Sequence, residues 1–154
     1  MNDDLEAWSA LVVVYQGVLH DVVGALEGEG GIDSGMFSAL AHVARADGTI
    51  ALAELQRLMY PRYSQPGLSR LVQRMEAEQL VERRIDPGDA RATTVHLTRS
   101  GRTRFGRADA VYRRAVNQHF SRHLSPNEQT RLTADLERVI DRRTENQPAS
   151  MSRL

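Results

Sequence analysis

The sequence predicts a mainly α-helical fold that carries one small β-hairpin. Apolar residues recur at steps of three and four along most of the chain, which is the period of an amphipathic helix. Two short stretches, 81–85 and 93–98, instead alternate apolar and polar residues, which is typical of paired strands. Turn-forming residues separate these stretches, so we expect a hairpin that packs against the helices before it.

Length and composition exclude several classes of protein. With 154 residues the chain can form one domain, or one domain with a helical extension, around a buried core. It contains no cysteine, which excludes disulfides and thiolate metal sites within the chain. No apolar run approaches the roughly 20 residues that span a bilayer, and the acidic N-terminus is unlike a secretory signal. We therefore expect a soluble, cytoplasmic protein with no membrane partner.

Four helices are predicted before the hairpin. The glycines of residues 27–31 end the first helix, because glycine supplies left-handed caps. The Asp47-Gly48 turn separates the second helix from the third, and we expect Thr49 to cap the third. The predicted spans are Leu5–Leu26, about Ser34–Arg45, Ala51–Met59 and a fourth helix that starts after Ser64.

The fourth helix combines a narrow apolar stripe with a polar face. Ser64 is placed to cap it, and Pro66 falls in its first turn, where a missing N–H costs nothing. The apolar stripe consists of Leu68, Leu71, Val72 and Met75. The opposite face carries Gln65, Pro66, Ser69, Arg70, Gln73 and Arg74. Such a face suits insertion into a DNA major groove, and a solvated amphipathic helix is the alternative.

The predicted hairpin follows this helix, and the order helix, helix, hairpin is typical of a winged helix-turn-helix. We expect residues 86–91 to form a loop that continues neither strand.

Charge favours a nucleic-acid partner for this region. Residues 1–44 hold seven acids and no arginine, whereas residues 45–107 hold twelve arginines and seven acids. Every basic residue is arginine, which suits phosphate and guanine contacts, although a GC-rich genome also favours arginine codons.

Two helices are predicted to close the chain. Thr98 is expected to cap the first of them, which runs to about His123. Residues 125–128 form a capping box with proline at the first helical position and start the second. Within that last helix we expect burial of Leu132, Leu136, Val139 and Ile140. Residues 146–154 are polar and are predicted to form a disordered tail.

Four segments of the middle of the chain carry a family resemblance. They are Leu68-Ser69-Arg70-Leu71-Val72, Leu80-Val81-Glu82-Arg83, Asp86-Pro87-Gly88-Asp89-Ala90-Arg91 and Leu97-Thr98-Arg99-Ser100-Gly101. Together they resemble the MarR family of bacterial transcriptional regulators, and the segment 86–91 is the most specific of the four. The resemblance implies a homodimeric repressor that presents two winged helix-turn-helix lobes to a palindromic operator in double-stranded DNA.

The resemblance also implies a division of the chain into functional regions. Residues 1–32 are expected to form an N-terminal dimerisation helix, 33–100 the DNA-binding lobe and 101–145 the C-terminal dimerisation helices, followed by the tail. Two departures from the family pattern bear on the angle between the third and fourth helices. Two extra residues stand at about Tyr60–Tyr63, and Ala51 occupies a position where the family often has a capping serine or threonine.

Specific DNA contacts follow from the same resemblance. Arg91 matches the wing arginine that enters the minor groove, and Asp89 matches the acid that holds it. Gln65, Ser69 and Arg70 are expected to read bases, whereas Arg74 is expected to contact phosphate. The full set of predicted DNA-contact residues is Ser64, Gln65, Pro66, Ser69, Arg70, Gln73, Arg74, Arg84, Asp89 and Arg91.

A small-molecule effector, often an aromatic acid, is a further implication of the resemblance. The candidate lining residues are Trp8, Tyr15, His20, Met36, Phe37, His42 and Tyr112. Simple core packing is the alternative for Trp8, Met36, Phe37 and Tyr112. Tyr15 and His20 are the better candidates, because a polar tip on an apolar face needs a partner.

Three other functions are less well supported by the sequence. His119 and His123 have metal-ligand spacing and could join His20 or His42 in a zinc or copper site, but no third ligand lies nearby in the sequence. A metal-responsive regulator is therefore an alternative, and no metal or cofactor is assigned. A winged helix used only for protein contacts is another alternative. An enzyme is not expected, since the chain lacks a cysteine nucleophile, a glycine-rich phosphate loop and a serine elbow.

Overall fold

The described part of the protein consists of six α-helices around a small antiparallel sheet. The computed structural model describes the backbone of residues 3–86 and 88–146 and the side chains of residues 5–85, 88 and 92–143. The helices are α1 (Asp3–Gly28), α2 (Ser34–Arg45), α3 (Leu52–Met59), α4 (Gln65–Ala77), α5 (Arg99–His119) and α6 (Pro126–Asn146). The strands are β1 (Thr49–Ala51), β2 (Val81–Asp86) and β3 (Asp89–Leu97). This architecture confirms the predicted mainly α-helical fold with a hairpin wing.

The sheet has three strands in the order β1-β3-β2, whereas the sequence predicted two. Asp47 and Gly48 both have positive φ and turn the chain, so that Thr49 pairs with His96 of β3. The expectation that Thr49 caps the third helix was therefore wrong. Ala51 occupies the cap position and makes no side-chain hydrogen bond there. The third strand forms because it pairs backbone groups that the edge of β3 would otherwise leave open.

The loop of the hairpin is shorter than predicted. Strand β2 continues to Asp86 and β3 begins at Asp89, so part of the predicted loop 86–91 belongs to the strands. The register shifts next to this turn, because Ile85 pairs with Thr93 whereas Asp86 pairs with Asp89. An irregularity of this kind lets a strand accommodate extra residues without losing its partner.

The buried core lies between α2, α3, α4 and the sheet. The predicted stripe of α4 is buried throughout, from Leu68 to Met75. Leu40 of α2, Leu55 of α3 and Val95 of β3 are completely buried beside it. These contacts leave the opposite face of α4 directed to solvent.

Three predicted helix starts are confirmed by hydrogen bonds. Ser64 Oγ accepts from the backbone N–H of Gly67 at 3.2 Å, and Thr98 Oγ1 accepts from that of Gly101 at 2.9 Å. At the start of α6, Glu128 Oε2 accepts from the Ser125 N–H at 2.8 Å. Such caps satisfy donors that the first turn of a helix leaves without partners. Helix α5 ends at His119 rather than at the predicted His123, which lies in a short 3₁₀ turn, Ser121–His123.

Helix α1 exposes most of its apolar side chains within a single chain. Val22 and Leu26 are buried on the side that packs against α5, but Trp8 is 61% exposed. Leu5–Gly28 is also long and apolar enough, by length and composition, to cross a membrane, with a mean hydropathy of 1.5. Polar residues such as Ser9, Gln16 and His20 keep each uninterrupted apolar run short, as expected, so the helix meets this criterion through its average composition.

Helix α6 is covered even less than α1. Leu132 and Leu136 are partly buried, whereas Val139 is 56% exposed and Ile140 is also exposed. The predicted burial of Val139 and Ile140 is therefore wrong for one chain. Much of the apolar face of α6 is therefore exposed in one chain. Of the predicted tail, Asn146 ends α6, and residues 147–154 lie outside the described residues.

Candidate nucleic-acid interface and adjoining cavity

The exposed face of α4 carries six of the predicted DNA-contact residues, and the cap Ser64 precedes it. Ser69 is half-buried, and the others are exposed. Because α4 is fixed from behind by its apolar stripe, this face forms a continuous polar ridge. The exposed members are Ser64, Gln65, Pro66, Arg70, Gln73 and Arg74. Among the described residues, Arg70 makes no side-chain hydrogen bond or ion pair, so its guanidinium is available to a ligand.

Arg74 is held by an acid from another helix. Its Nη2 donates to Asp33 Oδ2 at 2.6 Å. The other oxygen of Asp33 accepts from the backbone N–H of Met36 at 2.9 Å, so Asp33 caps α2 at the same time. One carboxylate therefore joins the start of α2 to the outer face of α4.

The wing is anchored to α4 by Arg83. Arg83 Nε donates to Glu76 Oε2 at 2.7 Å, and its backbone N–H donates to Glu76 Oε1 at 3.0 Å. Arg84 points away from this contact and pairs with Glu82 at 3.2 Å on an exposed surface. The backbones of Asp89 and Arg91 lie in β3, and their side chains lie outside the described residues.

His96 joins the strands at the base of the wing. Its Nδ1 lies 3.0 Å from Thr49 Oγ1 of β1, and its Nε2 lies 2.8 Å from Thr94 Oγ1. Both ring nitrogens are engaged, so the imidazole connects β1 to β3 on the outer face of the sheet.

A cavity of about 930 Å³ opens between α1, α2 and α5. Its apolar wall includes an aromatic cluster in which the Phe37 ring centroid lies 5.6 Å from that of Phe105 and 4.9 Å from that of Tyr112. Aromatic rings at such separations attract one another and favour a further flat ring beside them. Volume and lining fall in the range of small-molecule sites.

His42 is the buried polar group of this cavity. It is 6% exposed, and its ring makes no hydrogen bond within the described part of the chain. Burial, and secondly the positive charge of Arg45, lower the pKa of His42 below its usual value. The imidazole is therefore neutral near pH 7 and offers the cavity one donor and one acceptor.

The rim of the cavity is positively charged. Arg113 Nε donates to Asp109 Oδ2 at 2.6 Å, which neutralises that pair and raises the pKa of Arg113. Arg45 and Arg62 also line the cavity and leave an excess of positive charge. Arg62 belongs to the loop between α3 and α4, and its Nη2 donates to Ser34 Oγ at 2.7 Å.

Residues 31–92, from the end of the α1–α2 connection into the wing, match the model of the MarR family. The segment that carries the α4 ridge and most of the wing is therefore similar to the MarR family. No curated protein matches the sequence.

Solved structures extend the likeness to the whole chain. AbsC, a MarR family transcriptional regulator from Streptomyces coelicolor, is similar with a TM-score of 0.82 and 22% identity over 96% of this chain and 98% of AbsC. Sco3205 from the same organism, a MarR family regulator solved in complex with DNA, gives a TM-score of 0.81 and 21% identity over 97% of this chain and 95% of its own. The chain therefore has the MarR fold throughout its described length.

A third structure with the MarR fold contains a small molecule. The organohalide-sensing transcriptional regulator RdhR-CbdbA1625, in its 2,4-dichlorophenol-bound form, gives a TM-score of 0.76 and 16% identity over 92% of this chain and 82% of its own. All three neighbours are described as transcriptional regulators, and none of them as an enzyme.

Four of the seven predicted effector residues line the MarR-fold cavity: Tyr15, Phe37, His42 and Tyr112. Trp8 and His20 are exposed on α1 and do not line it, and Met36 is 2% exposed in the core. An effector role of these three residues stays a prediction, because helix periodicity identifies an apolar face but not the neighbour that covers it. The sequence did not single out Arg45, Arg62 or Phe105 for the cavity, because they come from three separate elements.

The histidines considered for metal binding have separate partners. His119 Nδ1 lies 3.0 Å from Asp21 Oδ2, whereas His123 Nε2 lies 3.2 Å from the carbonyl oxygen of Gln118. The two do not share one helix face, because α5 ends between them. No group of three or more histidine, aspartate or glutamate side chains placed to hold an ion occurs within the described residues.

Proposed function

We propose that the chain is a homodimeric transcriptional repressor that binds a palindromic operator in double-stranded DNA and is released by a small aromatic or phenolic ligand. The observation that carries this proposal is the polar ridge of α4, which stands beside a wing in a MarR fold. The likeness to Sco3205, which was solved with DNA, supports it. We further propose that the protein is soluble and cytoplasmic.

The ridge and the wing divide the DNA contacts between them. The exposed guanidinium of Arg70 is suited to two acceptors on a guanine edge, and Gln65 and Ser69 lie near the same end of α4. Arg84 contacts the DNA backbone. Arg91 enters the minor groove, and Asp89 holds Arg91 in place. Arg74 contacts phosphate once DNA competes with Asp33.

A second copy of the chain is proposed to cover α1 and α6. Both helices expose apolar side chains in one chain, and a twofold axis lets the same patch cover itself. A membrane is the weaker candidate for α1, because the helix also carries the exposed carboxylate of Asp21, 3.0 Å from His119 Nδ1, and packs against α5. Dimerisation sets the two α4 ridges about 34 Å apart, in successive major grooves. Residues 33–100 then act as the DNA-binding lobe, with 1–32 and 101–145 as the dimer region.

The proposal is tested with duplexes tiled over the DNA that flanks the protein's own gene. We expect footprinting to find a palindrome, light scattering to give a dimer, and affinity to fall steeply with salt as phosphate contacts release counterions. Arg91→Ala should weaken binding without unfolding the dimer, and Arg70→Ala should alter preference at one base pair by about 1–3 kcal/mol. A monomeric protein, or Arg91→Ala with parental affinity, would overturn the proposal.

The dimer surface has its own test. Leu11 is an exposed apolar residue of α1, and Leu11→Glu should shift the protein to monomers and remove operator binding, because a buried unpaired carboxylate opposes association. Leu11→Met keeps the apolar surface and is the matched control. Recovery of the wild-type protein in the membrane fraction instead of the soluble fraction would contradict the assignment of α1 to a dimer.

A further inference from the structure

We propose that His96 is the positioning residue that orients the wing for DNA binding, through a chain of side-chain hydrogen bonds that crosses all three strands of the sheet. The inference rests on the proposed function, because it specifies how the DNA contact of Arg84 is oriented. His96 lies in the middle strand, opposite Thr49 of β1 and Glu82 of β2. It is therefore placed to connect the wing to the strand that leads into α3.

The outer face of the sheet carries the polar side chains that form this chain of bonds. Ile50 of β1 and Val95 of β3 point inward and are buried in the core. Thr49, Thr94 and His96 alternate with them and face outward, because successive side chains of a strand point to opposite sides. The hydrogen bonds among the outward side chains therefore connect the strands independently of core packing.

The hydrogen bonds of the outer face run in one direction. The Thr94 hydroxyl donates to the carbonyl oxygen of Arg84 at 3.4 Å. Since a hydroxyl has a single hydrogen, Thr94 Oγ1 accepts at 2.8 Å from the Nε2–H of His96. A neutral imidazole then has no hydrogen on Nδ1, which accepts from the Thr49 hydroxyl at 3.0 Å. The chain of bonds thus joins β1 to β3 and β3 to β2.

The first strand, which His96 ties to the wing, also precedes α3. Ala51 ends β1 and occupies the N-cap position of α3, where it makes no side-chain hydrogen bond. Without a side-chain cap, the start of α3 depends on the pairing of β1 with β3. Helix α3 in turn packs against α4. His96 therefore relates the direction of the wing to the two helices beside it.

A small tilt at the base of the wing is amplified at its tip. Strand β1 pairs with residues 94–96 of β3, so within the described chain the far part of the hairpin has no third strand beside it. Ile85, in this far part, is 65% exposed. From His96 to Asp89 the strand runs roughly 20 Å, so a tilt of about 5° moves the tip by about 2 Å. Hydrogen-bond lengths vary by only about 0.5 Å, so this displacement breaks a contact with DNA phosphate.

The hydrogen bonds of His96 complement the ion pair between Arg83 and Glu76. That pair holds β2 against α4, whereas His96 holds β3 against β1. A hairpin that is anchored at one point can rotate about it, and a second anchor removes this freedom. The two contacts together fix the angle at which the wing leaves the core.

The positioning role is tested by operator affinity, measured by fluorescence anisotropy on the duplex that footprinting identifies. Thr49→Val removes the hydroxyl but keeps the β-branch that favours strands, whereas Thr49→Ser keeps the hydroxyl and removes the branch. We expect Thr49→Val to weaken binding about two- to tenfold, the worth of one hydrogen bond, and Thr49→Ser to retain parental affinity. Thr103→Val, which removes an exposed threonine hydroxyl on α5, is the matched control and should also retain it.

Urea unfolding of the same variants separates positioning from folding. If affinity follows the free energy of unfolding, so that Thr49→Ser binds DNA more weakly than Thr49→Val, the proposal is overturned, because β1 then acts only through stability. Parental affinity of Thr49→Val overturns it as well.

The role of His96 as the link is tested by combining Thr49→Val with Thr94→Val. The two hydroxyls bind different nitrogens of one ring, so the loss of either one already releases the ring. The double variant should therefore lose less affinity than the product of the two single losses. In His96→Phe, which keeps a flat ring without nitrogens, neither threonine substitution should lower affinity further. Independent losses in the parent protein, or losses that persist in His96→Phe, contradict the link.

The direction of the hydrogen bonds is tested by NMR of the protein with ¹⁵N-labelled histidine, at mildly alkaline pH, where histidine rings are ordinarily neutral. We expect the hydrogen of the His96 ring on Nε2, and His96→Phe identifies its signal by removing it. A hydrogen on Nδ1 would overturn the chain of bonds to Arg84. Failure of the parent protein to bind any duplex would refute the proposed function, whereas the NMR measurement needs no DNA and still decides whether the chain of bonds exists.

Discussion

Arg74 and Asp33 form an ion pair of 2.6 Å across a separation of 41 residues. The arginine projects from the face of α4 that is proposed to meet DNA, and the acid caps α2, the helix that carries Phe37 and His42 into the cavity. DNA phosphate and Asp33 therefore compete for one guanidinium. The pair joins the proposed DNA-contact surface directly to the helix that carries two residues of the cavity wall.

Removing the charge of Asp33 should strengthen DNA binding. Asp33→Asn keeps an N-cap of equal quality but releases Arg74 to phosphate, so we expect a few-fold higher affinity and nearly unchanged stability. Anisotropy on the operator duplex and urea unfolding measure the two effects. Asp33→Ala is the contrasting variant, because it also removes the cap and should cost about 1 kcal/mol of stability. When Arg74 is already replaced by alanine, Asp33→Asn should leave operator affinity unchanged. If affinity still rises in that double variant, DNA phosphate and Asp33 do not compete for Arg74.

The Glu76–Arg83 ion pair that anchors the wing should affect operator affinity more than it affects the free energy of unfolding. Glu76→Gln breaks the ion pair with Arg83, which is about one-third exposed, and should lower the free energy of unfolding by only about 0.5–1 kcal/mol. Operator affinity should fall several-fold, because the wing loses its fixed angle to α4. The matched control is Glu82→Gln, which breaks the largely exposed pair with Arg84, keeps the Glu76–Arg83 anchor and should not lower operator affinity. Equal affinities of the two variants would show that Glu76 does not position the wing.

The start of α5 should tolerate no side chain at Gly101. A Cβ there would lie 2.0 Å from the carbonyl oxygen of Leu80, so Gly101→Ala must displace backbone and should cost about 2 kcal/mol or more. Gly106 lies one and a half turns further along the same helix with nothing within 4 Å of an added Cβ. Gly106→Ala should stabilise the protein by about 0.5–1 kcal/mol through helix propensity. Chemical denaturation of both variants measures the contrast, and a stable Gly101→Ala protein would disprove the close approach.

Acid should destabilise the protein through His42. Its pKa is lowered in the folded state, first by burial and then by Arg45, so the unfolded chain binds the proton more readily. The contribution of neutral His42 to the free energy of unfolding is fully present above about pH 6.5, the ordinary pKa of histidine. It is lost as the pH falls below that value. We expect the free energy of unfolding to decrease from pH 7 to pH 5.5, and His42→Gln to flatten this slope. An identical slope in His42→Gln would assign the pH dependence to other groups.

Local features of the sequence predicted much of the fold. The caps Ser64 and Thr98, the capping box at 125–128 and the stripe from Leu68 to Met75 depend on residues within one or two turns of each other, so spacing alone reveals them. The same reasoning failed for Thr49, because its strand exists only through pairing with His96, far away in the chain.

The sequence by itself determined the order of helices and strands, the buried face of α4 and the polar ridge opposite it. Tertiary structure alone decided that Arg74 pairs with Asp33, that Arg83 anchors the wing to Glu76, and that Arg62 meets Ser34 at the cavity. The reason is that periodicity places a side chain on a face of its own helix, whereas the partner of a long arginine depends on which distant element packs beside it. The same limit explains why Phe37 and Tyr112 were found for the cavity and Arg62 was not.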